Sequence, residues 1–235
     1  MALPKLNDKP LYDLTIPSTG QKVRYRPFLV KEEKILLLAL ESEDPKQMFN
    51  AMNDTISACI PDLDISTLAS FDVEYVFTQL RTKSVGETAK VSIKCSECNN
   101  ANEITIPLVD IQVKGLDEKI NNIITINDEV KVEMKWPNFN ELTDKELIEG
   151  SDTNKVFNLI RRCMVAILTE EDRILVKDEK PEEVLNFLES MNQEQFGRIQ
   201  SFIEKMPRLE HDVEFQCSSC SHINNHKLQG MQDFF

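Results

Sequence analysis

The chain has 235 residues, and its 40 acidic side chains against 27 basic ones give a net charge of −13. Such a charge repels phosphate backbones, which disfavours nucleic acid as a partner. Hydrophobic residues make up 41% of the sequence, as in globular proteins, but the longest aliphatic run, residues 35–40, is too short to span a bilayer. Residues 1–13 mix charge with proline and lack the apolar segment of a secretory signal, so we expect the protein to stay inside the cell that makes it.

The first half of the chain predicts a strand pair, then helices, then a β-hairpin. Residues 14–34 predict two strands that end at Pro27, before an acidic, helix-forming stretch. Residues 49–60 have helical apolar spacing, and residues 71–83 place apolar side chains three and four positions apart, as on a one-faced helix. Alternating apolar residues around the sequence CSEC then predict a hairpin with residues 95–98 at its turn.

The second half shows the same order of predicted elements, which indicates an internal duplication. Residues 91–106 and 213–228 align without a gap. They share the first Val, both cysteines of a CxxC pair, the Ser that follows the first cysteine, and an Asn seven residues after that cysteine. Upstream, residues 124–146 are a looser counterpart of residues 14–34, with a strand, a turn, a strand, a proline and a helix predicted in each.

Helices are also predicted between these two segments of the second half. Residues 157–168 and 193–206 both have helical apolar spacing, and extra residues around Pro181 predict an added turn and helix. The sequence therefore predicts an α+β fold of two pseudo-repeated lobes, each a small β-hairpin unit plus helices, joined by a shared site like that of a zinc ribbon. The predicted divisions are an N-terminal lobe (1–106), a linker (107–122) and a C-terminal lobe (123–235).

Two CxxC pairs carry the clearest chemical signal in the sequence. In a reducing compartment, paired CxxC units indicate zinc binding or redox chemistry. Zinc prefers four ligands in a tetrahedron, and two CxxC turns placed face to face supply four thiolates. We therefore predict one structural zinc held by Cys95, Cys98, Cys217 and Cys220. Because 118 residues separate Cys98 from Cys217, this metal would clamp the two predicted lobes together.

Other interpretations of the cysteines remain open at this point. Cys217, Cys220, His222 and His226 form the pattern CxxCxHxxxH, which offers four ligands for a local site but leaves the first pair without a partner. Four unligated thiols are a further alternative. A redox pair typically lies at a helix N-terminus, whereas both pairs lie in predicted hairpins.

The remaining cysteines, Cys59 and Cys163, lie in apolar helical stretches, and we predict that they are buried and bind no metal.

Features of a catalytic site are missing from the sequence. The three histidines all lie beyond residue 210, and none has a neighbouring pattern typical of a catalytic triad. No glycine-rich phosphate-binding motif is present among the six glycines. We therefore predict a protein that is not an enzyme, without catalytic residues and without a cofactor other than zinc.

Residues 24–39, RYRPFLVKEEKILLLA, lie in a segment (12–42) that is followed by a helical stretch reaching Cys59 and then by KCSEC. This arrangement resembles the baseplate hub subunit family of T-even-type tailed phages. The resemblance implies a structural or assembly protein of the central hub of the tail baseplate, with other hub or tail proteins as partners. It also implies a location in the host cytoplasm during assembly, and either a place in the virion or departure before completion.

A second function remains open, namely a zinc-ribbon regulator that binds nucleic acid or the transcription machinery. Its support is the cysteine pairs and a basic strip near the first hairpin, formed by Arg81, Lys83, Lys90 and Lys94.

The sequence ends in GMQDFF, in which Met231, Phe234 and Phe235 are large and apolar. Such side chains can anchor a peptide in a groove of a partner, and folding back onto the second hairpin is the alternative.

Overall fold

The computed structural model describes residues 10–42, 44–116, 121–142 and 151–230. Within these residues, no helix combines the length and the apolar character that are needed to cross a membrane.

Several helices begin where the local sequence supplies a cap. The side chain of Asp44 accepts a hydrogen bond from the backbone N–H of Lys46 at 2.9 Å, and Ser151 caps a later helix in a similar way. Asn192 and Gln195 form a capping box with reciprocal side-chain to backbone hydrogen bonds. The helices described are α1 (Val30–Glu41), α2 (Pro45–Cys59), α3 (Ser70–Ser84), α4 (Phe139–Leu142), α5 (Asp152–Cys163), α6 (Pro181–Glu189) and α7 (Gln193–Glu204).

The strands pair antiparallel in several small sheets. Two of these sheets are two-stranded hairpins, one has three strands in the order β11-β10-β5, and one has four in the order β6-β7-β8-β9. The strands described are β1 (Tyr12–Thr15), β2 (Lys22–Tyr25), β3 (Thr88–Lys94), β4 (Ala101–Pro107), β5 (Gln112–Lys114), β6 (Ile123–Thr125), β7 (Lys131–Met134), β8 (Met164–Leu168), β9 (Arg173–Leu175), β10 (Arg208–Gln216) and β11 (Ile223–Gln229).

The chain divides into two compact units. The first unit comprises residues up to Ile65, Phe71–Lys114 and residues from Arg208 onward. It contains both CxxC hairpins, β3–β4 and β10–β11, and β5 extends the second hairpin by pairing with β10. Inward-facing residues of these strands and of the segment after β4 form one hydrophobic cluster, comprising Ala89, Ile93, Ile106, Leu108, Ile111, Leu209, Val213, Phe215 and Leu228.

The second unit comprises Ser66–Ser70 and Gly115–Pro207. Its four-stranded sheet and its helices α5, α6 and α7 contribute side chains to a separate hydrophobic cluster. Within this cluster the rings of Trp136 and Phe202 stack with centroids 4.1 Å apart, and those of Phe157 and Phe196 stack at 5.0 Å. The second unit therefore has its own core.

The compact units do not follow the predicted lobe boundary at residues 107–122. The prediction assigned the second CxxC hairpin to a C-terminal lobe, but β10 and β11 lie in the first unit. The physical reason is that β10 pairs with β5 and that Leu209, Val213 and Phe215 share a core with the first hairpin.

The predicted helix over residues 157–168 was wrong in its second half. The helix α5 ends at Cys163, and residues 164–168, MVAIL, form the strand β8 between β7 and β9. Pairing on both edges of a strand of this composition outweighs its helical apolar spacing. The added helix that was predicted around Pro181 is present as α6, which begins at that proline.

Candidate metal centre

The first CxxC pair lies in a tight turn between β3 and β4. The backbone N–H of Cys95 donates to the carbonyl of Asn100 at 2.9 Å, and the N–H of Asn99 donates to the carbonyl of Cys95 at 3.0 Å. Asn99 has a φ of +58°, a left-handed conformation that Asn adopts more readily than most residues. These bonds close the turn around the first cysteine.

The second CxxC pair lies in a matching turn between β10 and β11. The backbone N–H of Cys217 donates to the carbonyl of His222 at 2.8 Å, and the N–H of Ser221 donates to the carbonyl of Cys217 at 3.0 Å. Ser221 has a φ of +61° and lies four residues after the first cysteine of its pair, as Asn99 does in the first turn. The two turns therefore have the same backbone arrangement.

The four cysteine sulfurs of the two turns converge on one point. All four Sγ atoms lie within 4.8 Å of one another. The Sγ of Cys95 is 3.6 Å from that of Cys220, and the Sγ of Cys98 is 3.6 Å from that of Cys217. A tetrahedral zinc with bonds of about 2.3 Å places its sulfurs about 3.8 Å apart, whereas a disulfide needs about 2.05 Å. The spacing fits four metal ligands and does not fit two disulfides.

Backbone donors in the turns favour the thiolate form of the first cysteine in each pair. The N–H groups of Cys220 and Ser219 lower the pKa of Cys217 to about 6. The backbone N–H of Cys98 is the largest cause that lowers the pKa of Cys95, and burial opposes it.

The fourth thiol shows the opposite behaviour. The N–H of His222 lowers the pKa of Cys220, but the neighbouring thiols of Cys98, Cys95 and Cys217, together with burial, raise it to about 12. Four thiolates this close repel one another, so a bound cation is what allows all four to lose their protons. The donor set and its geometry therefore fit a metal ion that prefers sulfur.

The structure brings together the four cysteines that the sequence predicts as ligands. Among the described residues, they are the only group of His, Cys, Asp or Glu side chains placed to hold a metal ion. His222 and His226 of the local alternative are not members of this group, and His226 lies along β11, opposite Val213. The group that the fold brings together therefore contains both CxxC pairs.

With this geometry established, comparison with known proteins identifies the family. The model of the family described as T4 bacteriophage base plate protein matches residues 9–235. The chain belongs to this family. Comparison with curated proteins and with solved structures gave no match. The resemblance to phage baseplate proteins is confirmed at the level of the family, and a structural role in the baseplate of the phage tail follows from it.

The two isolated cysteines of this baseplate protein are buried away from the cluster, as predicted. Cys59 ends α2 with 2% of its surface exposed, and Cys163 ends α5 with none exposed. Burial raises the pKa of Cys59 to about 11 and that of Cys163 to about 12. Both therefore remain protonated thiols at neutral pH.

Two members of the basic strip near the first hairpin are paired with carboxylates. Lys83 forms an ion pair with Glu87 at 2.7 Å, and Lys90 forms one with Glu103 at 2.8 Å. Phosphate binding needs cations that are not already paired with carboxylates. The strip therefore gives the nucleic-acid interpretation little support.

Two residues next to the cysteines, Asn102 and Asn224, were not predicted as part of the site. Each has only 5% of its surface exposed, and each lies seven residues after the first cysteine of its own pair. The amide of Asn102 contacts Cys217, and the amide of Asn224 contacts Cys95. The shared Asn in the alignment of the two hairpins was the signal that could have identified them.

Proposed function

We propose that this baseplate protein is a non-enzymatic structural or assembly protein of the central hub of a phage tail, stabilised by one structural zinc. The convergence of four thiols within 4.8 Å carries the zinc proposal. Four protein ligands leave no open coordination position for a substrate, as in structural rather than catalytic zinc sites. The family match over residues 9–235 supports the place in the baseplate, and the resemblance of residues 24–39 to hub subunits supports the hub.

The zinc would hold together two chain segments that are remote in sequence. The first CxxC hairpin precedes Gly115–Pro207 of the second unit, and the second hairpin follows it. Lys114 of β5 pairs with Arg208 of β10, so the chain leaves the first unit and returns to it on adjacent strands. A metal bound by both hairpins would hold these two segments of the first unit together.

Metal analysis of purified variants tests the zinc proposal. We expect one zinc per chain in the wild type, loss of that zinc in Cys95→Ser and in Cys217→Ser, and full retention in the control His226→Ala. Retention of zinc in Cys95→Ser, with loss in His226→Ala, would instead establish the local site. A wild-type protein that contains no zinc after expression in zinc-supplemented medium would contradict the zinc proposal.

An exposed apolar surface on α1 supports a role in assembly. The helix buries Leu36 and Ala39, yet Val30 is 79% exposed, Leu37 53% and Leu38 56%. Residues 35–40 of α1 are apolar on every side of the helix, and exposed apolar patches mark protein contacts. We propose that this α1 surface, which includes Val30, Leu37 and Leu38, binds another protein of the baseplate, because the chain belongs to a family of baseplate proteins.

Capture of baseplate proteins from infected cells tests this surface. Leu37→Lys with Leu38→Lys should abolish recovery of a hub or tail protein, identified by mass spectrometry, without changing the melting temperature. Val85→Lys is the matched control, because Val85 is also exposed, at 56%, but lies outside α1. Equal recovery of the same baseplate protein by the double variant and the control would contradict the proposal.

The C-terminal residues Met231, Phe234 and Phe235 lie outside the described residues, and their docking to a hub partner remains a proposal. Deletion of residues 231–235 separates docking from folding back. Docking predicts an equally stable protein that no longer captures its partner, whereas folding back predicts a lower melting temperature. Partner capture by the truncated protein would end the docking proposal.

We also propose that the two halves arose by internal duplication. Each half begins with a strand pair and ends with a CxxC hairpin, and the two hairpins share their turn geometry. Helices lie between these elements in both halves, and in the second half the strands β8 and β9 lie among them. The host cytoplasm is the proposed location during assembly, and departure of the protein before completion of the virion is the alternative to a permanent place in the baseplate.

A further inference from the structure

Asn102 and Asn224 form a reciprocal contact between the two hairpins. Each asparagine belongs to one hairpin and reaches the cysteine turn of the other. We propose that these asparagines are positioning residues of the metal site, each donating a hydrogen bond to a thiolate of the opposite hairpin and thereby setting its orientation and charge. This inference rests on the proposed zinc site.

All four hydrogen-bonding positions of the Asn102 amide are used. Its Nδ2 donates to the Sγ of Cys217 at 3.7 Å and to the carbonyl of Asn100 at 2.9 Å. Its Oδ1 accepts from the backbone N–H and from the hydroxyl of Ser218, both at 2.9 Å. An Asn side chain has two donor hydrogens and two acceptor lone pairs, so Asn102 is fully satisfied.

The Asn224 amide makes the equivalent contacts in the opposite direction. Its Nδ2 donates to the Sγ of Cys95 at 3.6 Å and to the carbonyl of His222 at 3.1 Å. Its Oδ1 accepts from the backbone N–H of Ser96 at 2.9 Å and from the hydroxyl of Ser96 at 3.0 Å. The same four contacts thus occur twice, exchanged between the hairpins.

The backbone fixes which end of each amide faces the sulfur. The N–H groups of Ser96 and Ser218 can only donate, so the amide oxygens of Asn224 and Asn102 must face them. The amide nitrogens are then directed at the sulfurs. The donor to each thiolate is therefore set by main-chain geometry and does not depend on a choice between two orientations of the amide.

The sulfurs that receive these bonds are the buried members of each pair. Cys95 is 1% exposed and Cys217 is 2% exposed, whereas Cys98 and Cys220 are exposed to solvent. Water can donate hydrogen bonds to an exposed thiolate but not to a buried one, so the buried thiolates depend on protein donors. Groups that hydrogen-bond a metal ligand typically change metal affinity about 10- to 100-fold when they are removed.

Asparagine to aspartate substitutions remove the proposed donor to sulfur, together with the bond of the same Nδ2 to a turn carbonyl, and they add a negative charge beside the thiolates. Asn102→Asp and Asn224→Asp keep the shape and the acceptor oxygen that binds the serine, but they replace the N–H donor with an oxygen that faces the thiolate. Asn99→Asp is the matched control, since it makes the same chemical change in an exposed turn residue beside Cys98. We expect zinc affinity, measured by competition with a chelating dye, to fall by about tenfold or more in the two variants and by less than threefold in the control.

Cobalt(II) in place of zinc supplies a readout that a merely structural role would not change. The thiolate-to-cobalt absorption band depends on the charge on sulfur, so it should shift in Asn102→Asp and Asn224→Asp but not in Asn99→Asp. If an aspartate variant does not fold, Ser218→Ala and Ser96→Ala remove one anchor of each asparagine without adding charge, and a smaller loss of zinc affinity is expected.

The possible results separate this inference from the proposed zinc site. A wild-type protein without zinc refutes the zinc site and the inference with it. A wild type with one zinc, combined with variants whose affinity and cobalt band equal those of Asn99→Asp, refutes the inference and leaves the zinc site intact. If the aspartate variants do not fold, unchanged zinc affinity in both serine variants also refutes the inference and leaves the zinc site intact.

Discussion

The paired CxxC hairpins of the first unit and the core of the second unit represent two ways to stabilise a small sheet. The sheets that contain the two hairpins have two and three strands, with alternating buried and exposed residues. In the second unit, four strands and three helices enclose a cluster that includes stacked aromatic rings. Isolated two-stranded sheets bury little apolar surface and are marginally stable in water. The four cysteines that could hold a metal ion thus lie in sheets of two and three strands, whereas the four-stranded sheet of the second unit is covered by its own helices.

Removal of the proposed zinc should have the largest effect, and this effect should be confined to the hairpins. Structural zinc contributes about 10 kcal/mol of apparent binding free energy in small metal-folded peptides. A chelator should therefore expose Cys95 and Cys217 to thiol reagents and make residues 88–107 sensitive to proteases.

The single tryptophan, Trp136, lies in the second unit and provides the internal control for this experiment. Its fluorescence should not change on chelation. A parallel loss of Trp136 fluorescence and of hairpin protection would show that the metal stabilises both regions, which would contradict the comparison.

Truncation of a buried aromatic residue should destabilise the second unit instead. Phe202→Ala removes a ring that is 4% exposed and stacked on Trp136, at an expected cost of about 3–5 kcal/mol. Denaturant unfolding followed by fluorescence measures this loss. Zinc content should stay at one per chain, and loss of zinc in Phe202→Ala would show that the hairpins depend on the second core.

The ion pair of Arg26 and Glu32 in the first unit, which is not part of the four-cysteine cluster, should have an intermediate and pH-dependent effect. Glu32 is 4% exposed and accepts hydrogen bonds from Arg26 and from the backbone N–H of Leu29, both at 2.8 Å. Burial raises the pKa of Glu32, but the donors Arg26, Leu29 and Lys31 together lower it to about 2, from 4.5. The ionised form is therefore favoured in the folded protein.

The sign of the pH dependence follows from this lowered pKa. The stabilisation by Glu32 is fully present above the unfolded pKa of 4.5 and is lost as the pH falls towards 2. Glu32→Gln should lower the free energy of unfolding by up to about 3 kcal/mol at pH 7, and the difference from wild type should shrink below pH 5. Glu41→Gln, at an exposed position, is the control. A difference that stays constant from pH 7 to pH 3 would contradict the assignment.

The buried cysteines should show the smallest effect. Cys59→Ala in the first unit and Cys163→Ala in the second should each cost about 1 kcal/mol, because the side chain is small and its removal opens only a small void. Both thiols should react slowly with thiol reagents in the native protein, since burial raises their pKa values. Thermal unfolding measures the loss of stability, and metal analysis measures the zinc content. Zinc loss in either variant would assign that cysteine to the metal site.

Local patterns in the sequence predicted much of the secondary structure and the cysteines that the fold brings together. The proline at residue 181 marks the start of α6, and alternation around each CxxC pair predicts the two hairpins. Residues 164–168 were assigned to a helix because their apolar spacing fits one, and only pairing with β7 and β9 makes them a strand. Local structure can thus be predicted from residues that are close in sequence, whereas pairing with a distant strand cannot.

By itself, the sequence determined the two CxxC turns and the strands on either side of them, because such turns and alternating strands depend on residues within a short window. Only the tertiary structure decided that β10 and β11 join the first unit, and that Asn102 and Asn224 each reach the cysteine of the other hairpin. These contacts join residues more than 100 positions apart, and their formation depends on the shared core and on the pairing of β5 with β10. The pattern within either segment alone does not show that β10 pairs with β5, because that pairing depends on a core formed by residues from both segments.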